Sequence, residues 1–429
     1  MSERYQQSEA MLERALKTIP LGSQTFSKSK TQYPHGVSPF FMTRAKGSHV
    51  WDADGNEYID FSCSLAAVTL GYTDPDVVAA VRSQLKKGVI FPLPHPLEVE
   101  VAEQIVEMVP CAEMVRFGKN GSDATAGAIR VARAYTRRDH VAVCGYHGWQ
   151  DWYIGSTTRN LGVPKSTQEM THPFVYNDLA SLEKIFHEHP GQMAAVIMEP
   201  IGAEAPRDHF LEKVRDLTHQ NGALLIFDET ITGFRLSNGG AQELLGVTPD
   251  MATFGKGLAN GYPLSAVAGR REIMRLMEEV FFSFTFGGEA LSLAAANATL
   301  KKLRTHNVIA TLNRRGQKVF DGIRMLINRH DLASTLTIAG QPSWNFLLFK
   351  DASGYTSWQL KSYFQQEVYA RGILTIGSHS LCYAHTDRDV KKLLQVYDVV
   401  FGLLAKACRE QNLHALLKCK PLEPLFKIR

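Results

Sequence analysis

An α/β fold is predicted, with a mostly parallel central sheet in a large domain and a smaller α+β domain built from both ends of the chain. Three observations predict it. First, short and nearly continuous apolar runs recur: "VAVCG" at 141–145, "AAVIME" at 194–199 and "ALLIFDE" at 223–229. Each ends in polar residues, as strands buried on both faces do. Second, amphipathic helical patterns lie between them. In "FLEKVRDLTHQNG", Phe210, Leu211, Val214 and Leu217 share one face and Asn221-Gly222 closes the turn. Helix, tight turn and buried strand make one repeat of such a domain. Third, 429 residues exceed what one simple core holds, and the texture of the chain changes twice.

Residues 1–60 are expected to hold a polar helix over roughly 7–18, a loop rich in Ser, Gln and Lys, and then "GSHVWDADGNEYIDF". That last piece alternates apolar and polar residues around Asp-Gly-Asn, the pattern of a hairpin. Residues 61–310 carry the alternating strands and helices of the large domain. In 311–429, "SWNFLLFKD" and "ILTIG" read as strands and 388–411 as a long helix, so this stretch joins 1–60 in the smaller domain.

The chain is 45% hydrophobic and 21% charged, with a formal net charge of +4 and no dense Lys/Arg block. Nucleic acid is therefore not the expected partner. The opening "MSERYQQSEAM" lacks a basic stretch leading into an apolar core, so no signal peptide is expected. No apolar run approaches the roughly 20 residues of a membrane span. The six cysteines are scattered without a C-x-x-C pair, which fits free thiols in a reducing compartment better than disulfides or zinc. A cytoplasmic protein with no membrane partner and no metal is expected.

In open parallel sheets, ligands collect at the carboxyl ends of the strands. Asp228 and Glu229 end "ALLIF". A buried carboxylate needs a partner, and for Asp228 alone a helix N-cap or a structural ion pair would supply one. One repeat later, Lys256 stands between two glycines in "TFGKGLANGYPL", after the strand-like "DMATFG". A lone lysine in a turn is usually solvated. Two strand ends one repeat apart lie close together, however. An Asp facing a Lys there is the arrangement pyridoxal phosphate (PLP) needs, an amine for its aldehyde and a carboxylate for its ring nitrogen.

"FGKNGSDATAGAIRVARAY" (117–135) is a Gly-rich turn entering a helix. Gly121 and Ser122 would present backbone N–H groups at its positive end, a phosphate site. Ser122 and Asp123 are equally ordinary capping residues. After "VAVCG" stands Tyr146-His147-Gly148-Trp149, where an aromatic ring stacks on a flat ligand or packs in the core. "HEH" at 187–189 ends an amphipathic helix, where the dipole favours histidine. No Walker A, G-x-G-x-x-G, G-x-S-x-G or H-E-x-x-H pattern occurs.

Taken together, these residues resemble the class III PLP-dependent aminotransferases of fold type I, and among them the glutamate-1-semialdehyde aminomutase branch. The resemblance runs from about residue 8 to the C-terminus. It is carried by "RAKGSHVWDADGNEYIDF", "AAVIMEPIG", "LLIFDETITGFRLSNGGAQELLGVTPDMATFGKGLANGYPLSAVAG" and "TFGGEALSLAAA". Asp-Glu, then Thr-Gly-Phe-Arg, then Gly-Lys is a specific signature. The resemblance implies PLP as cofactor, Lys256 as the Schiff-base lysine and proton carrier, and Asp228 as partner of the pyridine nitrogen. It also implies Gly121 and Ser122 at the phosphate, Tyr146 and His147 beside the ring, and Glu199 near the site. Thr230 stands where an aliphatic residue usually packs under the ring. Thr285, in "SFTFGGEA", resembles a residue that reaches the phosphate of a neighbouring subunit, which implies a homodimer with shared active sites.

Departures from the aminomutase pattern cluster at the expected substrate end. Where aminomutases carry Gly-Gly-Val-Asn-Ser-Pro-Val-Arg, this chain reads "LGSQTFSK" and places Lys28 at the Arg. Lysine is the poorer bidentate partner for a carboxylate. "GSHSLCY" (377–383) replaces Ser-Gln-Phe-Glu-Ala-Gly-Phe and lacks its glutamate, and "GLANGYP" replaces a Gly-rich run after the lysine. The expected activity is amino transfer from an amino-acid donor, glutamate by family habit, to a keto or aldehyde acceptor. A looser likeness to aminotransferases of polysaccharide and amino-sugar biosynthesis points to a sugar acceptor, with Gln24, Lys28 and His379 as substrate residues. The aminomutase reaction is the alternative.

Overall fold

The computed structural model describes residues 3–424. The chain divides into two compact units, Pro75–Ile309 and a second made of the segments that end at Asp74 and begin at Ala310. The apolar pattern alone assigns 61–74 to the large domain. Backbone pairing ties them to the chain-end unit instead. The Phe61 N–H donates to the Leu374 carbonyl (2.9 Å), and the Tyr383 N–H donates to that of Thr69 (2.8 Å).

In chain order the strands are β1 (Met42–Lys46), β2 (His49–Asp52), β3 (Glu57–Asp60), β4 (Met114–Gly118), β5 (His140–Cys144), β6 (Thr171–Pro173) and β7 (Met193–Met198). They continue with β8 (Leu224–Asp228), β9 (Met251–Phe254), β10 (Ser265–Gly269), β11 (Leu336–Gln341), β12 (Trp344–Phe349), β13 (Ile373–Leu374) and β14 (Ser378–Ser380).

The Pro75–Ile309 unit carries a seven-stranded sheet ordered β4-β10-β9-β8-β7-β5-β6. β9, β8, β7, β5 and β6 are mutually parallel, whereas β10 runs against both β9 and β4. Every residue of β7, β8, β9 and β10 is buried, which requires cover on both faces. The helix Gly121–Thr136 buries Ala124, Ala128 and Val131, and the helix Phe210–Gln220 buries Phe210, Leu211 and Val214. From β5 the chain steps outward to the edge strand β6, then returns to lay β7 on the other side of β5. Such a reversal opens a crevice at the carboxyl ends of the two strands it separates.

The other unit holds two small sheets, β1-β2-β3-β13 and β11-β12-β14. The hairpin joining β2 to β3 forms at Asp-Gly-Asn. Asp52 Oδ1 accepts the N–H groups of Asp54 (3.1 Å) and Asn56 (2.7 Å), and Gly55 takes a φ of 82°. "ILTIG" yields only the two-residue β13, because Thr375 turns its hydroxyl back to accept the Gly377 N–H (3.1 Å). The long helix Asp387–Arg409 starts on a capping box of Thr386 and Asp389 and buries Val390, Leu393, Tyr397, Val400 and Leu404. After β3, Cys63, Ser64, Leu65 and Ala66 all adopt left-handed conformations (φ 44°, 51°, 60° and 65°). Each costs a non-glycine residue about 1–2 kcal/mol. Asp60 Oδ1 secures the start of this run by accepting the N–H groups of Ser62 (2.7 Å) and Cys63 (3.1 Å). All six cysteines are free thiols. Among the described residues no helix is long and apolar enough to cross a membrane.

Candidate active site

Strand register assembles the site. Cys144 of β5 pairs with Met198 of β7, and Met198 pairs with Phe227 of β8. The next residue along each strand, Gly145, Glu199 and Asp228, therefore stands beside the others at the carboxyl edge. Gly145 has a φ of 108°, and a Cβ there would lie 2.7 Å from Glu199 Oε2, so only glycine fits.

Asp228 is 4% exposed. Its Oδ2 lies 2.8 Å from His147 Nδ1, while Oδ1 accepts from the Thr230 hydroxyl (2.6 Å), the Thr230 N–H (3.1 Å) and the Thr253 hydroxyl (3.0 Å). Burial alone would raise its pKa. The hydrogen bond and charge of His147, with the Thr230 bonds, outweigh that and hold the carboxyl below its ordinary range. The His147 loop is fixed in turn by the Thr125 hydroxyl, which donates to the His147 carbonyl at 2.8 Å. Glu199 behaves in the opposite way. Burial, and then the Asp228 charge, push its pKa up.

Lys256 follows β9 and Gly255 and has a φ of 41°, a strained left-handed backbone for a residue with a side chain. Its Nζ makes no hydrogen bond or ion pair with any described residue. Burial lowers its pKa. The Glu199 and Asp228 carboxylates pull it back, Arg235 lowers it again, and the net shift is downward. The amine thus gives up its proton more readily than an exposed lysine, as a nucleophile or base must. The ring of Tyr146 is 50% exposed at the crevice, edge-on to Tyr153 at 5.7 Å.

The helix Gly121–Thr136 begins after Asn120, with Asp123 Oδ2 accepting the N–H groups of Lys119 (3.1 Å) and Asn120 (2.7 Å). The N–H groups of Gly121 and Ser122, in its first turn, have no acceptor within the helix. The surrounding fit is tight. A Cβ on Gly121 would sit 3.0 Å from Thr230 Cγ2, and one on Gly148 would sit 2.3 Å from Ser122 Oγ.

Lys256, Asp228, Glu199, Tyr146, His147, Thr230, Gly121 and Ser122 therefore converge within one unit. Thr285 does not join them by any hydrogen bond; it lies on an exposed turn of the same unit, between Phe284 and Phe286. Gln24, Lys28 and His379 belong to the other unit. Gln24 and Lys28 are exposed. Lys28 Nζ donates to Ser64 Oγ at 3.4 Å and borders a cavity of about 440 Å³ with Arg44, Asp60, Ser62 and Ser64. The expectation that His379 contacts substrate is corrected. Its ring is fully buried, with Nδ1 2.8 Å from Asn345 Oδ1 and Nε2 2.6 Å from the Tyr397 hydroxyl. Both nitrogens are used inside the core, and burial pushes its pKa down to about 3.

Sequence reasoning passed over Thr253, and it gave Arg235 and Glu229 a place in the signature but no role. Thr253 is the one polar residue in the apolar β9 and faces Asp228 in register, so strand pairing would have revealed it. Arg235 is fully buried and acts on Lys256 through its charge. Glu229 organises the loop after β8, accepting from the N–H groups of Ala241 and Gln242, the Gln242 amide (2.9 Å) and the Thr232 hydroxyl (2.9 Å).

A strand-end carboxylate with a lowered pKa and a strained lysine whose amine releases its proton more readily than usual are equipment for the chemistry of amino groups. The chain belongs to the class III aminotransferase family, whose model matches residues 32–343. It is 36% identical over 393 residues to the 3-aminobutyryl-CoA aminotransferase of Cloacimonas acidaminovorans, covering 89% of this chain and 94% of that one. It is 35% identical over 434 residues to the glutamate-1-semialdehyde 2,1-aminomutase of Desulforamulus reducens, covering 95% of this chain and 100% of that one. Among solved structures, the PLP-carrying FumI protein of Sphingopyxis sp. MTA144 superposes with a TM-score of 0.88 at 29% identity, covering 97% of this chain and 99% of FumI.

Proposed function

We propose that this chain is a PLP-dependent aminotransferase that moves an amino group from glutamate to a polar keto or aldehyde acceptor. The observation that carries the reading is a buried Asp228 carboxyl with its pKa held down and, acting on it through charge, a buried Lys256 amine with its pKa lowered. The residues present fit PLP. Lys256 Nζ is a polar atom without a hydrogen-bond partner among the described residues, Asp228 is a buried acceptor, and the Gly121–Ser122 turn offers N–H groups in a niche where added Cβ atoms would collide. Bound there, PLP supplies an electron-withdrawing ring that stabilises negative charge on the carbon losing its proton.

The chain's own residues do the rest. Asp228 would accept the ring N–H and keep that nitrogen charged. His147, Thr230 and Thr253 orient the Asp228 carboxylate. Gly121 and Ser122 would hold the phosphate, and Tyr146 would stack against the ring. Lys256 Nζ carries the proton from one carbon to the other. Its lowered pKa makes it a readier base than an exposed lysine.

A homodimer in which Thr285 reaches the partner's phosphate is supported by the apolar surface around it. Phe281 (81% exposed), Phe286 (58%), Leu93 (77%) and Val99 (59%) all face solvent in this unit. Isolated chains rarely leave so much large apolar surface uncovered. We assign the enzyme to the cytoplasm, given its free thiols. For the acceptor, a keto-sugar of amino-sugar biosynthesis is one candidate.

The test is spectroscopic. PLP-loaded enzyme mixed with glutamate alone should lose visible absorption and gain a band at shorter wavelength; no response to any amino acid would overturn the aminotransferase reading. The aminomutase reaction is favoured by the relatives named for it at 34–40% identity. Turnover of glutamate 1-semialdehyde without any outside donor would establish it instead. A third measurement probes the phosphate niche. Gly148→Ala drives a methyl into Ser122 and should weaken PLP binding roughly tenfold to a hundredfold in an absorbance titration; unchanged affinity would contradict the placement of the phosphate.

A further inference from the structure

Three histidines meet at the opposite end of β5 from the active-site crevice. His140 opens β5, His172 is the middle residue of β6, and His189 caps the helix Leu179–Glu188. In the parallel register His172 pairs with Ala142, two residues after His140, so alternation puts both imidazoles on one face of the sheet. His140 Nδ1 lies 2.8 Å from His172 Nε2. The His189 ring stacks on His140 (centroids 4.8 Å apart) and lies tilted against His172 (4.1 Å). One nitrogen from each ring lies within 4.8 Å of the other two.

We propose that His140, His172 and His189 form a binding site for a divalent metal ion, zinc being the best match, which fastens the helix end to the edge strand. Zinc bound at about 2.0–2.1 Å from three tetrahedral nitrogens holds them roughly 3.3 Å apart, a spacing that side-chain rotation reaches from here. Imidazole is a favoured ligand for zinc, copper and nickel. Ligation requires neutral rings with a free lone pair. All three side chains are half-buried, so an ion can enter from solvent and water can fill the fourth position. The site lies roughly 20 Å from Tyr146, one strand length, and serves stability rather than amino transfer. The proposal does not depend on the enzyme's substrate.

The test uses full-length, PLP-loaded protein without a histidine tag, stripped with a chelator and titrated with Zn²⁺ by calorimetry and with Co²⁺ by visible absorption. One equivalent should bind per chain, with a tetrahedral Co²⁺ band and a rise in Tm. His172→Ala and His189→Gln should each weaken binding by tenfold or more and leave the PLP absorption and amino transfer unchanged. Should His172→Ala fail to fold, the half-buried His189→Gln carries the comparison. Absence of stoichiometric binding, or binding that His189→Gln leaves intact, would overturn the site.

Discussion

Lys256→Ala should abolish the visible absorption that covalent attachment of PLP to Nζ produces, and dialysis should then remove the cofactor. Turnover should fall by at least the roughly hundredfold to ten-thousandfold ascribed to positioned acid–base groups, because both attachment and proton transfer are lost. Fold loss would not explain the result if circular dichroism and Tm stay close to those of the parent. Other lysines compete poorly for the role. Lys119 is engaged with Glu289 at 3.3 Å, whereas Lys256 feels the charges of Glu199 and Asp228 and makes no hydrogen bond or ion pair among the described residues. A visible band retained in the variant would mean that another lysine carries the cofactor.

Asp228→Asn separates binding from chemistry. The amide keeps the size of the side chain and the bonds from Thr230 and Thr253, so PLP should still load and its visible band persist. What disappears is the negative charge that would face the ring nitrogen, and His147 loses its carboxylate hydrogen-bond partner at 2.8 Å. Single-turnover rates with glutamate should drop by on the order of a hundredfold to a thousandfold, the usual scale for removing a preorganised charge interaction. The loss should be the same across mildly acid and alkaline buffers. A carboxyl whose folded pKa is lowered stays ionised until the pH falls through that lowered value, so its protonation does not shape the profile above the ordinary carboxylate range. Near-normal turnover in the variant would show that Asp228 is not the partner of the ring.

Much of this was legible in the sequence for a physical reason. A strand buried on both faces must be apolar throughout, so β7, β8 and β9 stand out, and polar residues immediately beyond them must be edge groups with a purpose. Asp52 and Gly55 marked their hairpin because a carboxylate and a positive φ are what that turn consumes. Other features were hidden because pairing is nonlocal. β4 mixes exposed and buried positions, and nothing in "SAVAG" announces that β10 runs against its neighbours. Thr230 looked like a gap under the cofactor until its hydroxyl was found on Asp228. His379 looked available, since a single sequence does not reveal that Asn345 and Tyr397 occupy its nitrogens. Histidines 140, 172 and 189 are too far apart along the chain to read as one group.

The left-handed backbone of Lys256 sets two selective pressures against each other. At φ 41° the chain is shaped for glycine. Relieving a left-handed side chain is worth about 1–2 kcal/mol, more than the roughly 0.5–1 kcal/mol of extra chain entropy that glycine gives up on folding. Folding stability alone would therefore drive the lysine out of this turn, and only reactivity keeps it there. Copies released from selection for catalysis should lose Lys256 early while keeping the rest of the sheet edge, so decay of function in this lineage would begin at the residue that defines it.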